Sequence, residues 1–443
     1  MIPSPSLNPS GDATAICFAL VLLIPFAAAG LALINTGLGR TRSAAHMMMA
    51  SLCVFSAAAL AYFICGFSWQ GFAGGYAHIL MLGGKEWNWI GAGPFFLRGM
   101  DPGNASVTLA ATFGMLSTGV AVLIPLGSGA DRWRLGAACA SAALMAGLTF
   151  PLFAHWAWSG GWLAQLGANY GLGRGFVDVG GAGAIQAVGG LTALSIAWIL
   201  GPRRGKFASD GMPSAIPGHN SVYVLLGCLL TLLGWWGLNG AGAILFGGVE
   251  AGRVAYIAIN TLLSAAASAG AAAVLTRARY GRPDASLTAN GWVGGLAASS
   301  AACAFVVPAA SVVIGILAGA LVTFSVEWFE ARMRVDDPGG AISAHGLGGM
   351  WGLLSVALFA RIPVNEGGAS SGAGQWLAQV IGIATLLGFV LPLTYGLNWL
   401  LNRVMPQRVA PEGERQGMDL YELGAGAYPE LATHADEFTQ HRT

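Results

Sequence analysis

Eleven apolar runs, each close to the length of a membrane-crossing helix, dominate this chain and leave it few folds to adopt. A helix rises about 1.5 Å per residue, so roughly 20 apolar residues cross the hydrocarbon layer of a bilayer. Such runs lie near 13–36, 43–66, 108–128, 135–156, 180–202, 221–244, 252–276, 288–306, 309–330, 340–360 and 376–402, that at 288–306 being mostly Ala and Gly. Only 9% of the 443 residues are charged, 55% are hydrophobic and mean hydropathy is +0.64; a soluble protein carries roughly 25% charged residues. A water-soluble fold could not cover so much apolar surface. The 67 glycines agree, because helices in lipid associate through small residues. No strand-length segments alternate as a membrane β-barrel requires. The fold class is therefore an all-α polytopic membrane protein: residues 1–403 form the membrane domain and 404–443 a polar tail.

Charge orients it. With the N-terminus outside, the outer loops hold only Lys85, Arg98, Arg174, Arg253 and Arg361, and the other 16 of the 21 Lys and Arg face inward. That asymmetry predicts an inner-membrane protein with a cytoplasmic C-terminus. Residues 1–13 contain Asp12 and no basic residue, so they lack the n-region of a secretory signal and the first helix is retained. A net charge of +1 offers nothing to nucleic acid. The cysteines (17, 53, 65, 139, 228 and 303) sit inside apolar runs without metal-ligand spacing and read as small buried hydrophobes. There is no phosphate loop, nucleophile elbow or His/Cys cluster. An enzyme, a cofactor or an ATP-driven pump is not indicated, so any transport follows a gradient.

An internal repeat says more. Residues 178–190 (DVGGAGAIQAVGG) align without a gap on 337–349 (DPGGAISAHGLGG), matching Asp178 to Asp337 and Gln186 to His345. One copy opens the fifth helix and the other the tenth, and five helices apart means opposite directions through the membrane. This predicts two inverted five-helix repeats, about 13–202 and 221–360, plus an eleventh helix, with the functional site at mid-membrane between the halves; the alternative is chance likeness of Gly/Ala-rich helices. Gln186 and His345 each fall two helical turns into their helices, about 12 Å from the matched Asp. A polar group at that depth either lines a pore or bonds neighbouring helices together.

Ordered motifs along nearly the whole chain then carry a resemblance: Gly30-Leu-Ala through Arg40, Gly127 to Asp131-Arg132, Ala154-His155-Trp156 through Trp162, Gly234-Trp235-Trp236-Gly237-Leu238-Asn239, Asn290-Gly291, Asp336-Asp337-Pro338 followed by His345-Gly346, and Glu414 to Asp419. The chain resembles the ammonium transporter/methylammonium permease/Rhesus superfamily. That resemblance implies a homotrimer with one narrow pore per subunit, carrying ammonium, ammonia or methylammonium. It implies that Trp158 recruits the ion outside, through the attraction of a cation to a ring face, and that Asp178 favours the cation from nearby; a carboxylate there would also cap the fifth helix. His345 matches the second of the family's paired pore histidines. Gln186 replaces the first, and an amide cannot exchange a proton near neutral pH. Phe113 keeps an aromatic cage position, Ser117 stands where a cage or gate phenylalanine is expected, and Leu238 replaces a gate phenylalanine after Trp235. Gly242 replaces an ion-binding serine, and Asn35 a tyrosine. These departures leave three expectations: a slower ammonium transporter, a non-conducting sensor acting through the tail, or a channel for another small polar molecule. The tail resembles a regulatory segment that docks beneath the neighbouring subunit and meets a PII-type signalling protein, although Leu423 departs from a family histidine.

Overall fold

The computed structural model of the chain describes residues 11–362 and 372–428. Eleven long helices cross it among these residues: α1 Gly11–Leu38, α2 Thr41–Gln70, α3 Ala105–Gly129, α4 Leu135–Trp158, α5 Ala182–Leu200, α6 Ser221–Leu245, α7 Ala251–Tyr280, α8 Ala285–Ala302, α9 Pro308–Ala331, α10 Ile342–Phe359 and α11 Gly372–Val404. All but α8 are apolar enough to span a bilayer on composition alone. The exception has a physical reason. α8 packs against α7, α9 and α10 and is buried along nearly its whole length, so Ala, Gly and Ser suffice where no lipid must be met. Exposed Leu52, Leu229, Val274 and Phe324 mark the outward faces of α2, α6, α7 and α9, an apolar surface suited to lipid or to a neighbouring subunit.

The two aligned segments take the same shape. Gly181 and Gly340 are both left-handed, with φ +89° and +63°, and each leads into a widened turn, at Ala182–Ala187 and Ile342–Leu347. Asp178 accepts hydrogen bonds from Gly183 N and Ala184 N at 3.0 and 2.9 Å, and Asp337 accepts one from Ile342 N at 2.8 Å. The helices opened by these segments cross with their backbones in contact. A Cβ on Gly190 would strike the backbone of His345 and Gly346, and its mate Gly349 would place one 3.1 Å from both Ala187 N and Gln186 Cβ. Only glycine permits this approach, and the reciprocal contacts set Gln186 and His345 opposite one another.

One end of the molecule gathers the loops after α1, α3, α5 and α9 together with the tail. Arg203 pairs bidentately with Asp336, at 3.0 and 3.1 Å, and reaches Asp131 at 3.0 Å; Arg132 donates to Asp336 O at 2.9 Å and Gly201 O at 2.7 Å. This buried lattice joins the first half of the chain to the second. The tail closes over the same end. Asp419 accepts from Ala45 N and His46 N at the start of α2, Glu422 accepts from Leu135 N at the start of α4, and Arg408 donates to Leu200 O at the end of α5. Acids on helix N-termini and a cation on a C-terminus complement the helix dipoles. Asp419→Ala is expected to cost about 1 kcal/mol and to expose the tail to limited proteolysis; an unchanged digestion rate would contradict this role. The described tail lies on loops of its own chain, and the stretch beyond residue 428 falls outside the described residues.

At the opposite end the structure adds an element the apolar pattern does not predict. β1 Ala77–Leu82 pairs antiparallel with β2 Lys85–Gly91 across Gly83 and Gly84, both at positive φ. The Gly-Gly between two short runs is the signal that announces such a hairpin. It braces the end of α4: Trp156 Nε1 donates to Trp89 O at 2.7 Å and Asn88 Nδ2 to Gly160 O at 3.1 Å.

Candidate functional site

The site is built on two levels. Where the two aligned segments meet, His345 Nδ1 lies 2.7 Å from Gln186 Oε1, both side chains being buried. An amide oxygen only accepts, so Nδ1 carries the hydrogen and Nε2 presents its lone pair. Gln186 Nε2 and Trp235 Nε1 are buried and bond no protein group. Leaving such a donor unmet costs about 1–3 kcal/mol. The Trp235 and His345 ring centres stand 6.4 Å apart, so the indole lies beside the pair. The widened turn sets Gln186 itself: its N–H reaches Gly181 O at 2.9 Å, five residues back. Wide turns of this kind re-aim side chains and recur at functional sites.

Nearer the hairpin end, Trp158 closes α4 and donates from Nε1 to Asp178 O at 2.5 Å. Phe113 stands edge-on to the indole with ring centres 5.7 Å apart, so the structure brings Trp158, Phe113 and the Asp178 backbone together. One Asp178 carboxylate oxygen caps the first turn of α5 and the other bonds no protein group. Ser117, one helical turn on from Phe113, is buried and returns its hydroxyl to Gly114 O at 3.2 Å. Asn35 is spent on Leu123 O at 3.0 Å, and Leu238 is buried in the core.

Gly242 packs directly against the backbone of Val179 and Gly180, and a Cβ there would lie 3.4 Å from Gly180 Cα and far closer to Val179 O. No room exists for a serine. Gly242→Ser is expected to lower thermal stability by about 1–3 kcal/mol through overpacking and not to tighten ammonium binding; a tighter-binding, equally stable variant would show this wrong.

Sequence reasoning missed one functional-site residue. Phe246 stacks on the Trp158 indole, with ring centres 4.7 Å apart and planes within 4°, and meets Phe113 edge-on at 5.3 Å. The helical period holds the signal: Trp235, Leu238, Gly242 and Phe246 recur on one face of α6 and its end.

The model of the Ammonium Transporter Family matches residues 14–428. The chain belongs to that family. Relatives include ammonium transporter Amt2 of Archaeoglobus fulgidus, 36% identical over 92% of this chain and 86% of the relative. The ammonium transporter of Bacillus subtilis is 32% identical over 94% of this chain and 98% of its own. Among solved structures, one described as a sensor Amt protein matches with TM-score 0.83 and 27% identity over 93% of this chain and 98% of that one. Candida albicans Mep2 matches with TM-score 0.77 and 21% identity over 92% and 88%, which speaks to the fold. Family membership makes this chain a multi-pass membrane protein of an ammonium-transporting, non-enzymatic class, and its inverted halves and eleven helices fit that fold.

Proposed function

We propose that each subunit transports ammonium inward, gathering the ion at Trp158 on the outer side, releasing its proton there, and passing ammonia between Gln186 and His345. The observation that carries this reading is the mid-membrane group: the acceptor at His345 Nε2 and the free donors at Gln186 Nε2 and Trp235 Nε1. Ammonia offers three donors and one acceptor, so it can donate to His345 Nε2 while accepting from one of the two N–H groups. Gln186 engages the imidazole through an oxygen that accepts but does not relay, so proton passage across the pair is impaired and transport is slower than between two imidazoles. The asymmetry of basic residues supports a cytoplasmic tail and an inner-membrane location. The family resemblance supports a homotrimer and a PII-type protein meeting the tail.

Uptake of labelled methylammonium and ammonium-evoked currents in proteoliposomes test the reading. Saturable uptake above empty vesicles is expected. Absence of both, with ammonium still bound, would replace it with the second reading, a sensor signalling through the tail. That reading draws support from the ring covering Trp158 and from the likeness to a protein described as a sensor.

A further inference from the structure

We propose that Phe246 is the door of the outer ion site, its ring occupying the face of Trp158 that an ammonium or alkylammonium ion would use. The proposal rests on the reading of Trp158 as the recruiting residue.

Spacing decides it. An ion held on an indole sits about 3.5–4 Å above the ring, so two rings sandwiching one ion stand about 7 Å apart. Phe246 and Trp158 are parallel within 4° with centres 4.7 Å apart. Nothing fits between them. The other surroundings of the indole are also taken: Phe113 and Phe150 stand edge-on to it at 5.7 and 6.1 Å, and its N–H is bound to Asp178 O. The face under Phe246 is covered by that ring, and an ion gains it by displacing Phe246.

Phe246 is placed to move as a side chain on a fixed backbone. It follows the last residue of α6, with its N–H on Gly242 O at 2.8 Å. Behind it, Arg174 Nη2 holds Gly247 O at 2.8 Å while its guanidinium lies over the Phe305 ring at 5.7 Å. Phe113 is wholly buried, whereas Phe246 is only half-buried, so of the two rings against Trp158 it has the freer path to swing away. The glycine at 242 fits the same scheme. With no hydroxyl on that side to hold an ion, the stacked ring covers the indole without polar competition.

A door that must open lowers apparent affinity by the fraction of time it stands closed. Removing a stacked aromatic partner is therefore expected to tighten binding about three- to tenfold, the range such pairs are worth. The test is equilibrium binding of radiolabelled methylammonium to the purified full-length protein, which reads the site whether or not the chain conducts. Phe246→Ala should tighten binding, and Phe246→Leu, which keeps an apolar side chain and loses the flat ring, should move it the same way if the alanine variant folds poorly. Trp158→Leu should weaken binding, alone and combined with Phe246→Ala. Unchanged or weaker binding in both Phe246 variants, with Trp158→Leu still weakened, would overturn the door and leave the recruiting site standing. Unchanged binding in Trp158→Leu, or no binding by any variant, would overturn both.

Discussion

Replacing His345 by Ala is expected to cut ammonium flux by about ten- to a hundredfold. The substitution removes the acceptor offered to ammonia and strands both ends of the Gln186 amide, whose oxygen is bonded to His345 Nδ1 and whose nitrogen bonds no protein group. An unmet buried polar group costs about 1–3 kcal/mol, and each ~1.4 kcal/mol is a factor of ten. Initial rates of methylammonium uptake in proteoliposomes, at matched reconstitution, read the effect. The converse change, Gln186→His, installs a second titratable ring and should raise current carried with a proton. Equal flux in wild type and His345→Ala would remove the pair from the pathway.

Asp336→Ala should destabilise the fold by about 3–5 kcal/mol, since it leaves the buried Arg203 guanidinium without its bidentate partner. Thermal unfolding of the purified protein in detergent checks it. The effect carries a pH signature. Burial raises the Asp336 pKa, but Arg132 and Arg203 outweigh burial and hold the carboxyl below its usual range. A depressed carboxylate contributes stability that is whole above its unfolded pKa, ~3.9, and is lost as pH falls through the folded value. The gap between wild type and Asp336→Ala is thus expected to stay constant near neutrality and to narrow in acid below about pH 4. A gap that stays constant on acidification well below pH 4 would mean that the ion pairs contribute little.

Much of the molecule was legible in the residues because lipid is a demanding solvent. A helix crossing it must satisfy its own backbone and present apolar side chains for about 20 residues, so the runs from 13–36 to 376–402 announce themselves. The inverted halves were legible for a second reason: a backbone bent at Gly181 or Gly340 and capped by Asp178 or Asp337 needs the same residue types in both copies. The hairpin at 77–91 escaped that logic because it lies between α2 and α3, outside any spanning helix, where a short paired strand needs no long apolar run.

What the sequence alone determined is the kind of molecule: a multi-helix membrane protein in two inverted halves, with Gln186 and His345 at matched positions and Trp158 at the end of α4. What only the tertiary structure decided is which groups touch. That Gly242 leaves no space for a side chain, that Ser117 turns back on its own helix, and that Phe246 covers Trp158 depend on how α6 lies against α4 and on the path of residues 178–180. Hydrophobic pattern fixes how far a helix reaches into lipid, because burial depends on the solvent around each residue. It does not fix the rotation and offset of one helix against another to within an ångström, which arises from close contact between backbones distant in sequence.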